Sequence, residues 1–281
     1  MIKNLALVTG LSVLLSGCAH FTQASQANNA IANPSTQKVT TKDLNQQLMM
    51  SVLWVQKSAE YRALCHQAFN IAKLRVNQSL NEDHQKPLAV IVDIDETILN
   101  NSPYEAWLIG QNQGYSSKTW QKWVKDAKAQ AIPGAVKFLT YAREHGVSIF
   151  YITNRKEAGR TATLRNLRKL GFPNANNTHL LMKTTTSNKA PRRNHVRQNY
   201  DVAVYMGDNL ADFTNKFAGK PMAQRTKLVE KYRSHWGNKF IVLPNPEYGD
   251  WAGALIHYKW GATATEKNKM YEQALERWNG Q

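Results

Sequence analysis

The sequence predicts an α/β protein: a Rossmann-like, mainly parallel five-stranded sheet flanked by helices, with an N-terminal helical segment and small cap elements. Three observations carry that expectation. Five short apolar runs, beginning near Leu88, Val147, His179, Asp201 and Lys239, alternate with stretches of helical pattern, and strands alternating with helices imply crossovers between parallel strands. The most hydrophobic run, Leu88-Ala-Val-Ile-Val-Asp-Ile-Asp-Glu-Thr97, ends abruptly in two carboxylates one residue apart. A second run closes in Tyr205-Met-Gly-Asp-Asn-Leu-Ala-Asp-Phe213 and delivers Asp208 and Asp212 in the same way. Open α/β sheets bind ligands at the carboxyl ends of their strands, so the acids mark a candidate catalytic metal site. Residues i and i+2 of an extended strand share a face, which places Asp93 and Asp95 together. Their repulsion in a low-dielectric site is what a divalent cation with oxygen ligands, magnesium above all, would relieve.

The elements follow in order. Thr40-Thr-Lys-Asp43 reads as a helix start, with Thr40 as N-cap and an acid at the third position. Leu44, Leu48, Val52, Val55, Leu64, Ala68, Ile71 and Leu74 then recur largely at spacings of three and four, predicting one long helix or two stacked ones. After the first acid pair, Ile98-Leu-Asn-Asn-Ser-Pro-Tyr104 is rich in turn residues. Residues 105–131 carry Trp107, Tyr115, Trp120 and Trp123 without a clear repeat, which suits either core or ligand cradle. A helix from Pro133 through Arg143, closed by Gly146, leads into a strand over residues 147–152 that ends in Thr153-Asn154-Arg155. A further helix runs to Leu170, and His179-Leu-Leu-Met182 reads as the third strand. A basic helix over residues 187–199 precedes the Asp208 strand, which begins near Asp201. Helical residues 221–236, a fifth strand Lys239-Phe-Ile-Val-Leu243, a turn Asn245-Pro-Glu-Tyr-Gly249 and two helices complete the chain.

Lysine and arginine number 36 against 20 acids, a net charge of +16. Such a field attracts anions, whether phosphate esters, nucleic acid or acidic headgroups. No dense basic block argues for a nucleic-acid tail, and no nucleic-acid partner is expected. At the amino terminus, Lys3 and an apolar stretch from Leu5 to Leu15, too short to span a bilayer, precede Leu15-Ser-Gly-Cys18. That order resembles the bacterial lipobox. The resemblance implies a signal peptide over residues 1–17, lipidation of Cys18 and, with Ala19 next, anchorage in the bacterial outer membrane, where several acyl chains hold stably. Residues 18–40 read as a flexible tether, leaving 41–281 as the folded domain. Cys65 is the other cysteine, so no intrachain disulfide is expected, and it reads as a buried small apolar residue. No Cys/His cluster has zinc spacing.

Asp-Ile-Asp-Glu-Thr resembles the first motif of the haloacid dehalogenase (HAD) superfamily of phosphotransfer enzymes. The longer string Ile91-Val-Asp-Ile-Asp-Glu-Thr-Ile-Leu-Asn-Asn-Ser-Pro-Tyr104, with Gly207-Asp-Asn-Leu-Ala-Asp-Phe213, resembles the class C bacterial acid phosphatases of the outer-membrane lipoprotein e type. That resemblance implies a magnesium-dependent hydrolase of phosphomonoesters. It makes Asp93 the nucleophile, Asp95 the general acid/base, and Thr153 a hydroxyl that holds the phosphoryl oxygen. Lys189 takes the position of the family lysine, with Lys183 as its rival. Asp208 and Asp93 become direct metal ligands, joined by the backbone carbonyl of Asp95, and Asp212 supports the metal through water. Aromatics at Tyr104, Trp120 and Tyr248 would sandwich a leaving group, which makes 5′-nucleotides such as nicotinamide mononucleotide, and aryl phosphates, the expected substrates. Pairing into a homodimer stays open. The histidines receive no role.

A reading from another class is a surface lipoprotein that binds haem or another anionic ligand through a basic, aromatic-rich face, its motifs being relics. The intact set of Asp93, Asp95, Thr153, Lys189, Asp208 and Asp212 argues against decay.

Overall fold

The computed structural model describes residues 38–280. The expected signal peptide, Cys18 and most of the tether lie outside the described residues. Of the expected tether, residues 38–40 are described, and they are engaged: the Val39 carbonyl accepts from Thr265 Oγ1 at 3.2 Å. Thr40 caps α1 (Thr41–Gln46), with Asp43 returning a bond to the Thr40 amide at 2.8 Å.

Among the described residues three helices precede the sheet, where the periodicity predicts one or two. After α1 come α2 (Met49–Lys57) and α3 (Ala59–Leu80). The break at Ser58 is local chemistry: its backbone is extended and its Oγ accepts from the Tyr61 amide at 3.0 Å, so it opens one helix by ending another. The buried stripe of α3 is Tyr61, Cys65, Ala68, Ala72 and Val76, whereas Leu64 and Leu74 of the expected stripe are exposed. Small side chains at this face let α3 lie close against the sheet, and leucine counting alone misplaces it by one position.

Strand β1 (Leu88–Val92) is buried throughout. Its alternate residues enter two cores. Val90 and Val92 pack with Val76, Phe138 and Leu139 on one face; Ala89 and Ile91 pack with Val196, Phe213 and Phe240 on the other. Burial on both faces is why the strand is an unbroken apolar run instead of an alternating one.

A two-residue strand, β2 (Leu99–Asn100), then leads into α4 (Ser102–Leu108) and α5 (Ser117–Asp126), and β3 (Gln130–Ala131) returns antiparallel to β2. This short ribbon, which no sequence pattern signals, closes the aromatic excursion at its base. Buried Asn45 ties α1 to the excursion, its amide reaching the carbonyls of Leu108, Gln111 and Gln113 at 3.0, 2.9 and 3.0 Å.

The remaining units are α6 (Ala135–Glu144), β4 (Ser148–Lys156), α7 (Arg160–Lys169), β5 (Leu180–Lys183), α8 (Ala190–Asn199), β6 (Asp201–Gly207), α9 (Met222–Lys231), β7 (Phe240–Val242), α10 (Asp250–Leu255) and α11 (Ala264–Ala274). The sheet order is β5-β4-β1-β6-β7, and every pairing is parallel. The chain therefore runs outward from β1 through β4 to β5, then crosses to β6 and β7 on the other side. That reversal makes β1/β6 the topological switch point, the place where open sheets of this kind hold ligands. Asp93 follows β1 and Asp208 follows β6.

Candidate active site

β1 stops at Val92, and the chain turns at once. The amides of Ile98 and Leu99 both return to the Ile94 carbonyl, at 3.0 and 2.9 Å, and the Glu96 amide donates to the Leu99 carbonyl at 2.9 Å. Glu96 takes a left-handed φ of 55°, uncommon for a residue with a side chain. Its carboxylate is what holds the turn, accepting from the Asn101 amide at 2.6 Å and from Asn101 Nδ2 at 3.2 Å. The strand argument holds as far as Asp93, whose amide still donates to the Met206 carbonyl at 3.0 Å, and Asp95 stays near enough for its charge to raise Asp93. Between them Ile94 is buried in the core, and the turn gives the two acids different partners.

Asp93 joins a buried cluster. Lys189 Nζ donates to Asp93 Oδ1 and lies 2.6 Å from Asp212 Oδ1. Asp212 Oδ2 accepts from the Asn209 amide at 3.1 Å, within a single helical turn at residues 210–212 that caps itself. Arg193, itself buried, secures that turn by donating to the carbonyls of Ala211 and Asp212 at 3.1 and 2.9 Å. Both oxygens of Asp208 are also held, by Thr97 Oγ1 at 3.0 Å and Asn245 Nδ2 at 2.8 Å. Gly207 is required by close approach: a Cβ there would lie 2.5 Å from both Cβ and Oδ2 of Asp212. Any larger residue would push Asp212 out of the cluster.

Oxygens of Asp93, Asp208 and Asp212 lie within 4.8 Å of one another. Burial, then the charges of the neighbouring acids, push Asp93 well above the usual carboxylate range despite Lys189. Burial, then Asp212, bring Asp208 up to about 7. Burial opposes the charge on Lys189, but Asp212 and Asp93 outweigh it and its ammonium is held above the usual value. Lys189 therefore bridges Asp93 and Asp212, and Asp208 adds a third carboxylate with no ion pair among the described residues. Hard, anionic oxygen donors converging in this way fit a divalent metal ion, which would remove the repulsion that burial magnifies.

Thr153 lies in the carboxyl-terminal half of β4 and is fully buried. Its Oγ1 accepts from the Arg155 amide at 3.1 Å, which leaves its own hydrogen to donate, and Arg192 Nη1 donates to its carbonyl. Lys183, the rival for the family lysine, bonds Ser187 Oγ at 2.7 Å at the surface.

Tyr104 and Trp120 meet edge to face with ring centroids 5.1 Å apart, and Tyr104 Oη bonds Thr119 Oγ1 at 2.9 Å. Tyr104 is nearly wholly buried, whereas Trp107 and Tyr115, which also pack on it, expose 42% and 65% of their surface. The open rings of this patch therefore belong to residues beside the expected one. Tyr248 is half-buried in the loop after β7 and shares no ring contact with them among the described residues. Cys65 is buried on α3, as its helix position predicts, and burial pushes its thiol up to about 11.

Sequence reasoning misses Arg155, Asn101, Thr97 and Asn245. Arg155, Thr97 and Asn245 act across the fold and Asn101 from the same turn, on Asp95 or Asp208, and the local sequence of each is that of an ordinary turn or strand end. Only Thr97 and Asn101 carry a signal, since both stand inside the quoted first motif.

A parallel sheet reversing at β1/β6, with carboxylates and a buried lysine gathered at that end, is the architecture of HAD-type phosphotransfer proteins. The family profile described as HAD superfamily, subfamily IIIB (acid phosphatase) matches residues 7–251, and the chain belongs to that family. The class C acid phosphatase from Bacillus anthracis superposes with a TM-score of 0.81 at 38% identity, covering 84% of this chain and 99% of that one. A second structure of that protein, with tungstate bound, superposes equally well. Acid phosphatase 1 of Solanum lycopersicum is 29% identical over 167 residues, 56% of this chain and 57% of that protein. The stem 31 kDa glycoprotein of Glycine max is 28% identical over 165 residues, 56% of this chain and 58% of that protein. The chain thus spans a little over half the length of these two curated relatives.

Proposed function

We propose that the chain is a magnesium-dependent acid phosphatase that hydrolyses phosphomonoesters through an aspartyl-phosphate on Asp93. The observation that carries this reading is the convergence of Asp93, Asp208 and Asp212 around one buried lysine at the sheet's switch point. Phosphoryl transfer asks for an in-line nucleophile and for neutralisation of the equatorial oxygens. Lys189 and the free Thr153 hydrogen would donate to those oxygens, and Asp93 would attack phosphorus. Asp95 would protonate the departing oxygen, then take a proton from the attacking water. Asp93, Asp208 and the backbone carbonyl of Asp95 would hold the cation, with Asp212 supporting it through water. When bound, magnesium supplies charge neutralisation at the phosphoryl group and keeps Asp93 ionised. The class C acid phosphatase from Bacillus anthracis has been solved with tungstate bound, a tetrahedral oxyanion like phosphate, which supports an oxyanion as the kind of ligand this chain takes.

The leaving group would face the aromatic patch of α4 and α5, so nucleoside 5′-monophosphates and aryl phosphates fit better than small alkyl esters. Stacking of a base on such rings contributes about 1–3 kcal/mol. The test is a substrate panel with and without chelator. Hydrolysis should vanish on chelation and return with magnesium, and Trp120→Ala or Tyr248→Ala should raise KM for 5′-nucleotides more than for glycerol phosphate. Binding of anionic ligands without chelator-sensitive turnover would refute the phosphatase reading.

The protein is further read as a lipoprotein anchored through Cys18 in the outer membrane, on the strength of the lipobox order alone. No helix among the described residues is long and apolar enough to cross a membrane. Cys18→Ser should move the protein from the membrane to the soluble fraction, or block its processing, with kcat of the purified enzyme unchanged. Unchanged membrane attachment would sink the lipid-anchor assignment.

A further inference from the structure

Arg155 is the largest fully buried side chain among the described residues, and its guanidinium is directed at Asp95. Nε and Nη2 both reach Asp95 Oδ1, at 2.9 and 2.8 Å. Asn101 Nδ2 reaches the same oxygen at 2.9 Å. Three donors on one carboxylate oxygen use up its lone pairs. Oδ2 receives no donor among the described residues.

The clamp is braced from several elements. Arg155 Nη1 donates to Thr163 Oγ1 on α7 at 3.3 Å, and Nη2 also reaches Asn101 Oδ1 at 3.3 Å. Trp123 Nε1 on α5 donates to Asn101 Oδ1 at 2.8 Å. An indole nitrogen can only donate, so it forces the amide's oxygen toward α5 and its nitrogen toward Asp95. Glu96 completes the arrangement by accepting from the same Asn101 nitrogen at 3.2 Å. The Trp120 ring covers the guanidinium, its centroid 5.9 Å from Arg155 Cζ.

From this geometry we infer that Arg155 and Asn101, locked by Trp123, are positioning residues that hold Asp95 by Oδ1 and leave Oδ2 as the oxygen that gives and takes the proton. The inference rests on Asp95 being the general acid/base. Two N–H groups of one rigid fork converging on Oδ1 fix the place of that oxygen, which a point charge on a flexible stem does not. Arg155→Lys keeps the charge and loses the fork. Trp123→Phe keeps an aromatic ring and loses only the donor that orients Asn101.

The experiment measures kcat/KM across phosphomonoesters whose leaving groups range from nitrophenol to simple alcohols, for the wild type, Asp95→Asn, Arg155→Lys and Trp123→Phe. A mispositioned acid matters most where the leaving group needs a proton. Arg155→Lys should lose about ten- to a hundredfold on alkyl phosphates and much less on nitrophenyl phosphate, steepening the leaving-group dependence toward that of Asp95→Asn. Trp123→Phe should steepen it in the same sense by a smaller amount, and it covers the case in which Arg155→Lys does not fold. A steep Asp95→Asn series beside parallel, uniform losses in the other variants would overturn the positioning role and leave the phosphatase reading standing. A flat Asp95→Asn series would instead remove Asp95 as the acid, and the inference with it.

Discussion

Asp93→Asn is expected to lower kcat by about a thousandfold or more while leaving the fold intact, because on the proposed mechanism it removes the covalent nucleophile and leaves only binding and electrostatic contributions. The substitution is nearly isosteric and takes away one negative charge. That charge lies in a buried cluster where Asp208 and Asp212 already repel it, with Lys189 as the near counter-ion. Thermal stability of the variant without added metal should therefore match or exceed that of the wild type. Lys189 keeps Asp212 as a partner at 2.6 Å, so the lysine is not left unpaired. The variant should also fail to form an acid-stable phosphoenzyme under rapid quench. Retention of more than a few per cent of turnover by folded, purified Asp93→Asn would falsify the nucleophile assignment.

The second large effect is on stability. Glu247 is buried after β7, and neither of its carboxyl oxygens has a hydrogen-bond partner among the described residues. Burial, then the charge of Glu105, raise it from an ordinary value of 4.5 to about 8. Glu105, also buried, is pushed by burial to about 7. Between pH 4.5 and 8 the unfolded chain has lost the Glu247 proton and the folded chain keeps it, so the folded state binds more protons and stability falls as pH rises. The fall amounts to about 1.4 kcal/mol per pH unit for one such group. Stability from this site is complete below about pH 4.5 and is lost progressively up to about pH 8.

Glu247→Gln removes the ionisation. It should leave the melting temperature near that of the wild type at pH 5 and raise it at pH 8. A gain on the order of 3 kcal/mol near neutrality corresponds to roughly 2–4 °C for each kcal/mol in a domain of this size. Equal melting temperatures at pH 8 would mean that Glu247 finds a partner when ionised. Because Glu247 precedes Tyr248 and Glu105 follows Tyr104, the same loss of stability bears on the two segments that carry aromatics beside the site.

The sequence by itself determined the sheet and the acids. β1 is buried on both faces and had to be an unbroken apolar run, and β6 repeats that pattern, so both strands and the carboxylates that follow them stood out. Thr40 announced its helix because a capping box is written in four consecutive residues. Signals of this kind are local: the side chains that make the interaction are neighbours in the chain.

What the tertiary structure decided is non-local. Strand periodicity sets the two acids near each other, and Asp95 does add to the charge that raises Asp93, but the tight turn that follows assigns Asp93 to Lys189 and Asp95 to Arg155. Arg155 reaches Asp95 across 60 positions of sequence, and Asn245 reaches Asp208 across 37. Neither residue type nor spacing encodes such a partnership, because it exists only once the crossovers have brought β4 and the loop after β7 beside β1 and β6. The face of α3 was likewise settled by packing. Cys65, Ala68 and Ala72 are buried because small side chains let the helix approach the sheet, while Leu64 and Leu74 stay in solvent. Charge followed the same division: composition gave +16 for the whole molecule, and only the fold gathered Asp93, Asp208 and Asp212 into a cluster that could hold a cation.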